Sequence, residues 1–148
     1  MKIAKALKMK NQLAGEVAQL KELLAKQNSR STKQKFDYDN REVLASLRAK
    51  VAELVKVKAA VAVANAEIYE QIFRLAELKG LVVALNGLDT KAGVFHEGHG
   101  FGEVAYETEY VAQLGKVEVD KLIAELNAEI QVLQDTLDEF NFTRNVNL

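Results

Sequence analysis

His96 and His99, three residues apart with Glu97 beside the first, form the cluster with the most metal-ligand character in this 148-residue chain. A zinc-protease helix needs His-Glu-x-x-His, with histidines four apart so that both imidazoles fall on one helix face. Here the spacing is three, the surroundings are glycine-rich and no third ligand is at hand. Both histidines are therefore expected to be solvated loop residues, and no metal or other cofactor is assigned. Paired carboxylates are plentiful, at Glu107 and Glu109 and at Asp135, Asp138 and Glu139. Their spacings are those of a solvated helix or strand edge, not of a cleft that would shift a pKa. Gly98-His99-Gly100-Phe101-Gly102 has the glycines of a phosphate loop, but no Lys-Ser/Thr follows and no parallel βα context surrounds it. With no Gly-x-Ser-x-Gly and no cysteine, nucleophilic chemistry has no starting point, and neither a disulfide nor a thiolate site can form. No catalytic residue is assigned, and an enzyme is not expected.

What remains is a chain built for helices. Apolar residues make up 49% of it, but aromatics are few (Tyr 4, Phe 6, Trp 0), so buried surface must come from Leu, Val, Ile and Ala. Proline is absent, as suits a chain that is mostly helix interior, where it would cost about 3 kcal/mol. No apolar run reaches the 18 or so residues of a membrane span, and the lysine-bearing N-terminus lacks the continuous hydrophobic centre of a signal peptide. A cytoplasmic or virion-associated protein is expected. Net charge is −1, but it is unevenly spread. Residues 1 to 36 carry nine Lys/Arg and two Glu, a formal +7, and the rest carries eleven Lys/Arg and nineteen acids, −8. A basic N-terminal arm of this kind suits an acidic partner, the nearest being another part of the same assembly. Its alternative is an anion-binding module in which Lys2, Lys5, Lys8 and Lys10 meet nucleic acid or an anionic membrane surface.

The central stretch, 41–86, reads as one uninterrupted helix; at about 1.5 Å per residue it would be close to 70 Å long. Apolar residues recur in steps of three and four at Leu44, Leu47, Val51, Leu54, Val61, Ile68, Ile72, Leu75 and Val82, the seam by which one helix wraps another. Lys58, Asn65, Lys79 and Asn86 interrupt it. Asn65, short and polar near the midpoint, needs a partner if buried and would then select register and strand number. Asp39 and Glu42 have the form of a capping box that starts this helix.

A first helix over 2–27 carries Ile3, Ala6, Leu13, Val17, Leu20 and Leu24 at the same spacing, with Lys10 inside the stripe. Phe36 and Tyr38 should anchor the polar connection that follows. Residues 88–115 hold five of the eight glycines and both histidines, and read as a β-hairpin insertion with a first strand near 92–96 and a second near 101–106. Phe95, Phe101, Tyr106 and Tyr110 are its candidate partner contacts. The last helix spans 118–141, with Val119, Leu122, Leu126, Ile130, Leu133, Leu137 and Phe140 on one face. The two flanking helices together match the central one. They are expected to fold back along its two halves as an elongated antiparallel coiled coil of three helices in a single domain, with both chain ends meeting beside Val61 to Ile68. Such a pairing leaves Val57, Leu78, Leu81 and Leu85 partly exposed, so self-association is expected through Leu47, Val51, Leu54, Val61, Asn65, Ile68, Ile72 and Leu75.

Met1-Lys2-Ile3-Ala4-Lys5-Ala6-Leu7, Ala76-Glu77-Leu78-Lys79-Gly80, Val119-Asp120-Lys121-Leu122 and Leu137-Asp138-Glu139-Phe140-Asn141-Phe142-Thr143 resemble the corresponding stretches of a group of small bacterial and phage-borne helical proteins, some of them called septicolysins. The resemblance spans most of the chain and implies a helical rod with a small β insertion and no catalytic residues to carry over. No stretch alternates over the ten or so residues that a membrane strand requires, so pore formation is not expected. The reading is a non-enzymatic structural or assembly protein, a homo-oligomer within a larger complex such as a phage virion.

Overall fold

A computed structural model describes residues 1–98, 100–102 and 104–148. The chain is mainly helical, with one small antiparallel sheet: α1 (Ile3–Lys26), α2 (Asn40–Ala64), a 3-10 turn (Ala66–Ile68), α3 (Tyr69–Asn86), β1 (Gly93–Glu97), β2 (Tyr106–Tyr110) and α4 (Lys116–Thr143). The first helix lies within a residue of its expected bounds, and the last is two residues longer at each end.

The central helix is not continuous. Asn65 ends α2: its backbone N–H donates to the carbonyls of Val61 and Val63, and its own carbonyl accepts from the Ile68 N–H at 2.9 Å. Asparagine is a poor helix-interior residue, because its side chain offers the backbone competing hydrogen bonds. A 3-10 turn follows, and α-type bonding resumes at Tyr69. The apolar spacing runs through this tightened turn almost unchanged, so periodicity alone reads straight across it.

The chain divides into two compact units, Met1–Tyr69 with Leu137–Leu148, and Glu70–Thr136. In the first, α1 and α2 pack antiparallel: Ile3 clusters with Val57 and Val61, Glu16 meets Lys50 at 2.7 Å, and the Asn40 amide donates to the Leu24 carbonyl at 2.9 Å. The α1 stripe is as expected, with Ile3, Ala6, Leu13 and Val17 buried, and Gln27 extending it by one further step.

On α2 the buried stripe differs from the expected one at alternate positions. Leu47 and Val61 are buried and Leu54 half-buried as anticipated, but the intervening places belong to Val43, Lys50, Val57 and Ala64 rather than to Leu44, Val51, Lys58 and Asn65. Val57, expected to be partly exposed, is 1% exposed, whereas Leu44 and Val51 are 45% and 39% exposed. A helix of 3.6 residues per turn offers two candidate stripes that share every seventh residue. The observed one buries Val57 and leaves Lys58 at the surface, where the other would desolvate that lysine.

Both chain ends meet on this core, as expected. Val146, 2% exposed, joins Ile3, Ala6, Leu13, Val57 and Val61. Its N–H donates to the Met1 carbonyl at 2.7 Å, and the Ile3 N–H donates to the Arg144 carbonyl at 3.1 Å. Arg144 then pairs with Glu67 at 3.0 Å. At the other end of the helix pair, Tyr38 donates its hydroxyl to the Leu23 carbonyl at 2.7 Å, so this residue and Asn40 satisfy carbonyls that the end of α1 would otherwise leave open. Gln27 accepts from the Asp37 N–H at 2.9 Å and donates to the Asp37 carboxylate. Phe36, the other expected anchor, is 55% exposed. Asp39 caps α2 by accepting from the Arg41 N–H at 2.8 Å.

In the second unit, α3 and α4 bury Leu75 and Val119, while Ile72, Leu78, Leu122, Leu126, Ile130 and Leu133 are half-buried. Arg74 of α3 holds the Glu129 carboxylate of α4 through two guanidinium nitrogens, Nε at 2.7 Å. Every residue of the expected α4 face is at least half-buried, with Leu137 and Phe140 lying in the first unit.

Candidate functional site

The hairpin pairs Gly93 with Tyr110, Phe95 with Thr108 and Glu97 with Tyr106. Its second strand therefore begins where the sequence reading ended it, and the connection is correspondingly longer. A strand presents alternate residues to each face, so Phe95, Glu97, Tyr106, Thr108 and Tyr110 share one side, with Val94, His96, Glu107 and Glu109 on the other. On the first side Phe95 and Tyr110 meet edge to face at 5.7 Å. Lys91 lies 4.5 Å and 4.2 Å above the two rings, and its ammonium is 3.5 Å from Glu97. Tyr110 donates its hydroxyl to Glu97. Gly98, with φ +80°, turns the chain away from β1, and a Cβ there would lie 2.5 Å from the Val104 carbonyl oxygen.

An isolated two-stranded hairpin is marginal in water, and the Lys91–Phe95–Tyr110–Glu97 cluster ties its two strands together. Two of the four candidate contact residues, Phe95 and Tyr110, are thus engaged by the chain's own lysine. Tyr106 is 55% exposed and Phe101 is fully exposed. Lys91 and Glu97 were not among the expected contacts; the lysine precedes β1 in sequence, and only the turn at Asp89, which accepts from the Lys91 N–H at 2.9 Å, brings it over the rings.

The Tyr110 hydroxyl, opposed by partial desolvation and aided by the Lys91 charge, holds the Glu97 carboxyl below its ordinary pKa. A lowered folded-state pKa stabilises the hairpin above the unfolded carboxyl value, and this contribution is lost as pH falls through the folded one. Tyr110 is shifted the opposite way, upward, chiefly by its bond to Glu97. Acid titration followed by NMR should therefore collapse the Phe95 and Tyr110 ring shifts at a pH below that of an ordinary glutamate, and Glu97→Gln should remove that step.

His96 lies on the opposite side of the hairpin, its Nδ1 3.6 Å from Glu107. His99, its expected companion, lies outside the described residues. Among the described residues no group of three His, Cys, Asp or Glu side chains is placed to hold a metal ion, and no helix is long and apolar enough to cross a membrane.

Of the expected self-association residues, Leu47, Val61, Ile68 and Leu75 are buried within the chain, whereas Leu54, Asn65 and Ile72 are half-buried and Val51 is exposed. Lys5, Lys8 and Lys10 stand on α1, and Lys2, which precedes it, donates its Nζ to the Thr143 carbonyl at 2.7 Å.

Because the buried stripe of α2 is displaced, a second stripe is left at the surface. It consists of Leu44, Val51 and Val55, 45%, 39% and 58% exposed, followed by Ala62. In an antiparallel pair, residues displaced in the same rotational sense from the two seams lie on the same side. The α1 residues displaced this way from Ala6, Leu13, Val17 and Leu24 are Leu7, Ala14, Ala18 and Ala25, with Asn11 and Lys21 on the same track. The two stripes thus adjoin as one shallow face whose apolar part, Ala14, Ala18, Leu44, Val51 and Val55, is edged by Lys21, Arg48 and Lys58. Leu44 and Val51 of this face belong to the expected seam, and the placement of Val57 and Ala64 separates the two stripes. No family model, curated protein or solved structure matches the chain.

Proposed function

We propose that the protein is a non-enzymatic, self-associating helical component of a larger assembly, in which the open face of the antiparallel α1–α2 pair is covered by another copy of the chain. The observation that carries this reading is the apolar patch of Ala14 and Ala18 on α1 beside Leu44, Val51 and Val55 on α2, left open to solvent. Scattered surface valines are ordinary, but apolar residues clustered on the same side of two adjoining helices, edged by exposed cations, form a candidate helix-packing surface. Its alanines allow close approach of another helix.

Sedimentation velocity over a hundredfold range of concentration tests the reading. A concentration-dependent oligomer is expected, and Val51→Glu with Val55→Glu should return it to monomer with unchanged helicity. A wild-type chain that stays monomeric throughout would refute it.

A further inference from the structure

We propose that the occupant of this face is the acidic unit of a second copy, so that chains join head to tail rather than face to face. This rests on the self-association reading and specifies its mode. The first unit carries fifteen Lys/Arg against nine Asp/Glu, a formal +6, and the second carries five against twelve, −7. The asymmetry reaches the apolar face itself. Lys21 falls between Ala18 and Ala25, and Lys58 falls between Val55 and Ala62; Arg48 flanks the stripe, and all three are exposed. Ion pairs of the first unit use Arg30, Lys50 and Arg144, so among the described residues Lys21, Arg48 and Lys58 have none. A two-fold contact of this face with itself would bring lysines against lysines and desolvate them, which electrostatic complementarity disfavours.

The complementary surface is on α4. Glu118, Glu125 and Val132 stand seven residues apart and are all exposed, Val132 at 66%. On the receiving face Leu44, Val51 and Lys58 are also seven apart. With α4 of one chain antiparallel to α2 of the next, Val132 over Val51 brings Glu125 level with Lys58. One register thus satisfies an apolar contact and an ion pair together. A contact between two different surfaces need not close, so it can build rings or filaments.

Charge reversal tests the mode. Lys21→Glu with Lys58→Glu, and separately Glu118→Lys with Glu125→Lys, should each weaken self-association roughly tenfold or more with circular dichroism unchanged. Mixing the two variants should restore association, since each still carries the surface the other lacks. Raising NaCl from 50 to 500 mM should weaken the wild type as well. If the wild type associates but neither charge reversal nor salt alters it, the head-to-tail mode is wrong and self-association stands. If the wild type is monomeric, both fail; if it then binds duplex DNA or anionic vesicles through Lys21 and Lys58, the face is a phosphate surface instead.

Discussion

Ile3→Ala is expected to destabilise the first unit by about 3 kcal/mol, within the range for truncating a buried isoleucine, and to release both chain ends at once. Ile3 is fully buried and touches the cluster that also holds Val57, Val61 and Val146. Its backbone N–H is spent on the Arg144 carbonyl, so the side chain and main chain fasten the same junction. Removing three carbons at this point opens a cavity where α1, α2 and the C-terminal segment converge. Against a total stability on the order of 5–15 kcal/mol, that loss is large. Urea denaturation should report it, and amide exchange should show Val146 losing protection with it, since the Val146 N–H bonds the Met1 carbonyl. Val63→Ala, at a position 77% exposed, should change stability by less than about 0.5 kcal/mol. A small effect of Ile3→Ala with Val146 still protected would mean that this cluster does not hold the termini.

How much of this was legible in the residues depended on how many stripes each helix offers. On α1 the large apolar residues concentrate on one stripe while its neighbour is mostly alanine, and Ile3, Ala6, Leu13 and Val17 are buried as the spacing implies. α4 is equally unambiguous. α2 is apolar almost all round, with Val43 beside Leu44, Val57 beside Lys58 and Ala64 beside Asn65. Two stripes one residue apart then fit the same alternation of threes and fours. What selects between them is desolvation by α1, a tertiary effect that no local pattern contains. The hairpin was visible in its glycines and aromatics, but its register was not. Gly98 and Gly102, at φ +80° and +84°, fall between the strands, and pairing resumes only at Tyr106. The cluster around Lys91 depends on that register, so it was hidden with it. The interruption at Asn65 was half visible: the residue stood out as polar, though as a seam residue rather than as the end of a helix.

That interruption makes Asn65→Leu the other informative substitution, expected to stabilise the chain by roughly 1–2 kcal/mol. Asn65 Oδ1 is shielded from solvent and has no hydrogen-bond partner among the described residues. A polar atom so placed costs about 1–3 kcal/mol relative to a satisfied one, and leucine also has the better helix propensity, by a few tenths of a kcal/mol. Leucine should therefore favour α-type bonding through Ala66–Ile68, where a 3-10 turn now stands. The melting temperature should rise by roughly 2–4 °C per kcal/mol gained, and amides 66–68 should exchange more slowly. The same change removes a polar group that can specify how copies pair, because wrong alignments leave it unsatisfied. Sedimentation should then show a broader distribution of oligomers than the wild type at the same concentration. An unchanged melting temperature with an unchanged distribution would show that the Asn65 side chain reaches water and selects nothing. A lower melting temperature would show that the 3-10 turn is itself required by the packing of the first unit.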